Sequence, residues 1–196
     1  ACASPPELPV GDLQQIAASA AQASRAGAVL AVQGCGLDQV VAAGVADRRS
    51  GTPMPTTEAL RIGSVGKLYV AALIHQLAQE GRLDLDAPVA GQLPPGTLAG
   101  IAGADATPRQ LLKHTGGVPD YYTPTTIATW DWTQPVTAAR VLAAIQGLPA
   151  TAAPGQAYAY SNSSWHILGL LAEAAGGDRL GALVRDRLLV PLGLDG

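Results

Sequence analysis

The pattern of apolar and polar residues divides the chain into two regions, 1–54 and 55–196. In the first region a polar, proline-rich tether precedes a helix predicted over 13–26, which Gly27 ends. Two β-prone runs separated by glycines then predict a hairpin, Ala28–Val32 and Gln39–Val45. Because a two-stranded hairpin is marginally stable alone, it needs further packing partners.

The second region is predicted to be mainly helical. A helix over 64–79 is indicated because its apolar residues, including Leu68, Ala71 and Ile74, recur at helical spacing. Further helices are predicted over 107–113, 136–146, 163–175 and 179–188. Between two of them, residues 118–135 contain tyrosines and tryptophans and are predicted to form a long loop.

Composition narrows the classes of protein that this chain can belong to. It is 48% hydrophobic and 14% charged, which supports a packed core and argues against a disordered chain. The net charge is -3 and no basic run occurs, so nucleic acid is not an expected partner. No apolar stretch reaches the about 20 residues that a membrane span requires.

The two cysteines, Cys2 and Cys35, lack the spacing of metal ligands, so a metal site is not expected. No other cofactor is implied. Three interpretations stay open: two free thiols, one disulfide, or lipid attachment at Cys2. The segment Ala1–Pro6 is typical of the start of a mature exported protein, which predicts a periplasmic or secreted location.

The first candidate chemistry lies at Ser64-Val65-Gly66-Lys67. Residues three apart on a helix share a face, so the lysine amine can reach the serine hydroxyl. A serine hydroxyl is a poor nucleophile without a base, and a suitably placed lysine can serve as that base. The alternative interpretation is a helix cap followed by a solvated lysine.

The second candidate is Tyr160-Ser161-Asn162, which contains the chain's only asparagine. Here the functional hypothesis places the Tyr160 hydroxyl beside Ser64 to move protons, with Asn162 bonded to the lysine and a substrate. The alternative is an Asx-type turn that caps the helix beginning near Ser163.

Together these segments resemble the serine β-lactamase and penicillin-binding (DD-peptidase) family, in its class C-like and family VIII esterase-like branch. The segment Tyr160-Ser161-Asn162 corresponds to the family's second sequence box, and its tyrosine, where other branches carry serine, indicates that branch. The resemblance covers about residues 27–195, and the matching segments are 44–47, 61–67, 81–89, 111–121, 154–164 and 191–194.

The resemblance implies an α/β fold, the α-β-α sandwich of the β-lactamase/DD-peptidase type with a helical subdomain. It implies Ser64 as the acylated nucleophile, Lys67 and Tyr160 as general base and acid, and Asn162 as a residue that binds substrate. The Ser64 backbone N–H is expected to be one oxyanion donor. Tyr121 and its loop are expected to line the substrate pocket, although aromatic anchoring of the loop alone is the alternative.

The family's third box, Lys-Thr-Gly or His-Thr-Gly on a strand, does not occur after Tyr160 in this sequence. His114-Thr115-Gly116 spells it but precedes the second box, so His114 is interpreted as structural, like His75 and His166. We expect this box and the C-terminal strands of the family fold to be supplied by a second polypeptide from the same precursor. The alternative is a truncated chain.

The function predicted is therefore a serine hydrolase that forms an acyl-enzyme on Ser64. A β-lactam, a D-Ala-terminated peptide, a D-amino-acid amide or a small ester would be its substrate, because the fold does not select among them. The competing hypothesis is a non-catalytic binding or sensing module on the same scaffold.

Overall fold

A computed structural model describes residues 10–34 and 37–194, and the chain divides after Arg61 into two units. The thiol, disulfide and lipid hypotheses concern Cys2 and Cys35, which lie outside the described residues. Among the described residues, no helix has the length and apolar character needed to cross a bilayer. In the same part of the chain, no group of three or more His, Cys, Asp or Glu side chains is placed to hold a metal ion.

The first unit confirms the predicted helix and hairpin. Helix α1 (Val10–Ser24) precedes the antiparallel strands β1 (Ala28–Gly34) and β2 (Leu37–Ala43), with Ala28 opposite Ala43. A small core holds the helix on the hairpin because Leu13, Ala17 and Val41 are buried together. The connector that follows contains a short antiparallel pair, β3 (Val45–Asp47) and β4 (Thr52–Pro53).

The second unit is helical in the part that the structure describes. Its α-helices are α2 (Lys67–Gln79), α3 (Pro108–Leu112), α4 (Pro124–Thr129), α5 (Ala138–Ile145), α6 (Asn162–Gly176) and α7 (Leu180–Val184). A 3₁₀ turn, Gly63–Gly66, leads into α2, a second occupies Val89–Gln92, and a π-helical turn, Arg185–Leu189, extends α7.

Two details differ from the sequence prediction. Ser64 lies in the 3₁₀ turn, so α2 itself begins at Lys67. The predicted loop over 118–135 contains α4, which begins with a capping box between Thr123 and Thr126. The same device, with Thr107 and Gln110, begins α3 where the sequence predicted a helix.

Packing of α2 against α6 fixes the position of the candidate site. Leu73, Ile74 and Leu77 of α2 are fully buried in one core with α6 side chains, among them Ile167 and Leu168. Burial of each such side chain contributes about 1.5–3 kcal/mol. This core places the N-terminal ends of α2 and α6 close together, so the segments 64–67 and 160–162 form hydrogen bonds with each other.

Candidate active site

Ser64, Lys67 and Tyr160 form a connected polar group. The Lys67 Nζ donates to Ser64 Oγ at 3.0 Å, and Ser64 Oγ lies 3.0 Å from Tyr160 Oη. These are ordinary hydrogen-bond lengths, and the tyrosine comes from 96 residues away in sequence. The helical spacing that motivated the Ser64–Lys67 hypothesis therefore agrees with the observed contact.

Asn162 completes the group from the start of α6. Its side-chain Oδ1 accepts from Lys67 Nζ at 3.0 Å. The position of Asn162 is set locally because the Ser161 side chain caps α6 by accepting from the Ser164 backbone N–H. The Lys67 ammonium is thus held between the Ser64 hydroxyl and the side-chain amide of Asn162.

Electrostatics favour loss of the Tyr160 proton. The neighbouring Lys67 ammonium, followed by the Ser64 hydroxyl, lowers the pKa of the Tyr160 phenol below its ordinary value. Partial burial and the negative charge of Asp120 oppose this shift. The Tyr160 side chain stays accessible, since the residue is 44% exposed, so the phenol can face a substrate.

His114 packs against one face of the Tyr160 ring. The two rings are stacked, with centroids 4.3 Å apart and planes inclined by 24°. Two donors face the imidazole: the Ser161 backbone N–H is 3.1 Å from Nδ1 and the Trp165 indole N–H is 3.2 Å from Nε2. A neutral imidazole carries one proton and can accept at only one nitrogen, so the Nδ1 bond, which has the shorter distance, is the one we assign.

This environment favours the uncharged form of His114. Burial, followed by the positive charge of Lys67, lowers the pKa of the His114 ring below its usual value. His114 also has a left-handed backbone, φ 56°, from which its carbonyl accepts the Ala159 N–H at 2.9 Å. The His114-Thr115-Gly116 segment therefore directly follows α3, and none of its three residues belongs to a strand among those described.

Asp120 is a site residue that sequence reasoning missed. Its Oδ2 accepts from Asn162 Nδ2 at 3.0 Å, while its Oδ1 faces the backbone N–H groups of Asn162 at 3.1 Å and Tyr122 at 3.2 Å. Asp120 precedes Asn162 by 42 residues, so no local spacing connects them. The sole sequence signal was its place near the end of 111–121, one of the segments that resemble the family.

A cavity of about 580 Å³ opens over these groups. Ser64, Lys67, Tyr160 and Asn162 line it together with Gly63, Tyr121 and Tyr122. Tyr121, which the sequence predicted to line a substrate pocket, lines this cavity.

An aromatic cluster holds the Tyr121 side of the cavity. The Tyr121 ring stacks on Trp130 at 5.3 Å and meets the edge of His166 at 5.5 Å. Tyr122 contacts Trp132 at 5.8 Å, and Arg140 lies 4.2 Å from the Trp130 ring centre. Tyr121 and Tyr122 thus both line the cavity and contact the tryptophans of the 118–135 segment.

The β-lactamase family model matches residues 13–196, which is nearly the whole chain. The chain belongs to the β-lactamase family.

Among curated relatives, this family member is 35% identical over 174 residues to penicillin-binding protein 4 of Amycolatopsis lactamdurans, covering 86% of this chain and 43% of that protein. It is 31% identical over 163 residues to esterase EstB of Burkholderia gladioli, covering 78% of this chain and 41% of the esterase.

Among solved structures, the D-amino acid amidase from Ochrobactrum anthropi SV3 complexed with L-phenylalanine amide has a TM-score of 0.79 and 25% identity. That match covers 95% of this chain and 50% of the amidase chain. The β-lactamase-type fold is therefore shown for this region, and the chain spans half or less of each of these three relatives. Two of these relatives, the esterase and the amidase, are hydrolases by name, which agrees with a serine hydrolase type of family.

Proposed function

We propose that this chain carries the nucleophile half of a serine hydrolase that acts through an acyl-enzyme on Ser64. One observation carries the proposal: Ser64 Oγ lies 3.0 Å from both Lys67 Nζ and Tyr160 Oη. A serine hydroxyl with two such partners has both a proton acceptor and a cation that stabilises negative charge on its oxygen.

The polarity of these bonds suggests the proton path. Because Lys67 donates to Ser64 Oγ, the serine's own proton is free to point toward Tyr160 Oη. Tyr160, whose pKa is lowered by Lys67, is then the immediate base during acylation. The same proton returns to the leaving group when the tetrahedral intermediate collapses, and water later releases the acyl group.

Asn162 and the Ser64 backbone are assigned to substrate binding. The Asn162 Nδ2 has two protons and gives one to Asp120, so the other is available for a substrate carbonyl. The Ser64 N–H at the start of the helical segment is the proposed oxyanion donor. Tyr121 and Tyr122 form the apolar wall of the cavity, which favours an acyl group with apolar or aromatic character.

The chemistry of this site and the names of the relatives together suggest four candidate substrate classes. A D-amino-acid amide, a D-Ala-terminated peptide, a β-lactam and a small ester all present a carbonyl to Ser64. A panel with one chromogenic member of each class, tested on wild type and Ser64→Ala, identifies the preferred leaving group. Turnover of at least one member by the wild type alone supports the proposal. Binding without turnover of any member would favour the non-catalytic module.

We also propose that residues outside this chain complete the site. The chain spans half of the amidase chain it resembles, and no third box follows Tyr160 in its sequence. We expect a second polypeptide from the same precursor to supply that box, and denaturing mass spectrometry of natively purified protein tests this. Export to the periplasm or medium stays a prediction, which fractionation of the producing cells checks.

A further inference from the structure

We propose that Asp120 is a positioning residue that fixes the side-chain amide of Asn162 for acylation, an inference that rests on the proposed function. A carboxylate accepts hydrogen bonds and donates none. The group of Asn162 that faces Asp120 Oδ2 at 3.0 Å must therefore be Nδ2. The other end of the same amide, Oδ1, is then the end that meets Lys67 Nζ at 3.0 Å.

The orientation matters because the reversed amide would work against the site. With Nδ2 turned toward Lys67, two donors would face each other, and the ammonium would lose the acceptor that Asn162 provides. The N–H group offered to a substrate carbonyl would also be lost. Asp120 excludes this reversed state by its acceptor-only chemistry, and its bonds to two backbone N–H groups fix the carboxylate in place.

Asp120 also acts on the site through its charge. It raises the pKa of Tyr160 against the larger lowering effects of Lys67 and Ser64. The titratable groups on which its charge acts are His114, Tyr121, Tyr160 and His166. A residue that only held the loop together would not alter the pH at which Tyr160 loses its proton.

Asp120→Asn reverses the polarity of one hydrogen bond and removes the negative charge. The new amide keeps an oxygen for the backbone N–H groups of Asn162 and Tyr122, but presents an N–H group to the Asn162 side chain. The Asn162 amide then reverses to offer its oxygen, and it turns Nδ2 toward Lys67. Asp120→Asn combined with Asn162→Asp restores an acceptor for Lys67 and keeps the net charge, although it leaves position 162 without an N–H group for substrate.

The experiment uses protein expressed from its complete coding sequence, with Ser64 labelling by a fluorophosphonate and hydrolysis of the preferred amide as readouts. For Asp120→Asn, labelling is expected to slow by about 10- to 100-fold. The acid limb of the pH–rate profile should move to lower pH, because loss of the negative charge lowers the Tyr160 pKa. In the double variant labelling recovers to within about tenfold of wild type, while amide hydrolysis stays low.

Asp131→Asn is the matched control. Asp131 also accepts from nearby groups in a turn, at Thr133, but it has no hydrogen bond to the four site residues. It should label like wild type, with an unmoved acid limb.

Three results would overturn the inference. The first is Asp120→Asn labelling within twofold of Asp131→Asn. The second is slow labelling with an unmoved acid limb and no recovery in the double variant, which would indicate a merely structural role. The third, a wild type that is not labelled at Ser64, would also remove the proposed function, whereas the first two leave that function standing.

Discussion

The His114 ring lies face to face with the Tyr160 ring, with centroids 4.3 Å apart. Because the Ser161 N–H needs an acceptor at Nδ1, this support requires a neutral imidazole. Because His114 supports Tyr160 only in its uncharged form, protonation of the imidazole should weaken the fold as well as the site. The stability of the fold should therefore depend on pH.

The first prediction concerns that connection. The folded-state pKa of His114 is lowered, so its stabilising contribution is complete above the unfolded value of about 6.5 and is lost as pH falls through the folded pKa. His166, also lowered by burial, acts in the same direction. We expect the free energy of unfolding in urea to fall as the pH is lowered below about 6.5, and to fall less steeply in His114→Gln. Parallel pH profiles for the two proteins would contradict this.

The second prediction separates the Tyr160 hydroxyl from its ring. Tyr160→Phe keeps the stack on His114 and removes the proton acceptor of Ser64, so acylation should slow by about 10²- to 10⁴-fold with little change in thermal stability. Tyr158→Phe is the control, because Tyr158 is 69% exposed and contacts His114 only edge-on. Stopped-flow or mass-shift labelling measures both. Equal rates for the two variants would remove Tyr160 from the mechanism.

The third prediction uses the chain's only two lysines, Lys67 and Lys113. Lys67→Met removes the ammonium that lowers the Tyr160 pKa, so that pKa rises. Any residual acylation should then show an acid limb at higher pH, with a rate at least about 10²-fold below wild type. Lys113→Met removes the same charge from an exposed position and should match wild type. An unmoved acid limb in Lys67→Met would contradict the assigned electrostatics.

The fourth prediction concerns Gly66, which follows Ser64 within the helical segment. Its backbone is helical, φ −55° and ψ −22°, and a Cβ there would come no closer than 3.9 Å to Ile62 Cδ1. Gly66→Ala should therefore raise the free energy of unfolding by about 0.5–1 kcal/mol without slowing acylation. Chemical denaturation measures this difference.

Gly117→Ala is the opposite case. Gly117 has φ +73°, and a Cβ there would collide with the Ala152 carbonyl oxygen, so this substitution should destabilise the fold. If Gly66→Ala destabilised the protein as much as Gly117→Ala, this result would contradict the presence of open space for a Cβ at Gly66.

Local chemistry made much of this structure predictable from the sequence. The Ser64–Lys67 pair follows from helical spacing, and α3 follows from Thr107 and Pro108. The same threonine–proline signal stands at Thr123-Pro124, yet the surrounding aromatic residues favoured a loop prediction and α4 was missed.

Contacts between distant residues were harder to predict. Asp120 meets Asn162 across 42 residues, and His114 meets Trp165 across 51 residues. Both contacts depend on packing of α6 beside the segment after α3, which no short pattern encodes. Resemblance to a family supplied the pairing of Ser64 with Tyr160, but it named no partner for Asn162 other than lysine and substrate.

The central claim is that Ser64 becomes covalently acylated. Incubation of the natively purified protein with a penicillin and, separately, with a fluorophosphonate, followed by peptide mass mapping, tests it most directly. We predict a stoichiometric adduct of at least one reagent on the peptide that contains Ser64, and no adduct in Ser64→Ala. An unmodified Ser64 peptide with both reagents, or an adduct that persists in Ser64→Ala, would contradict the account.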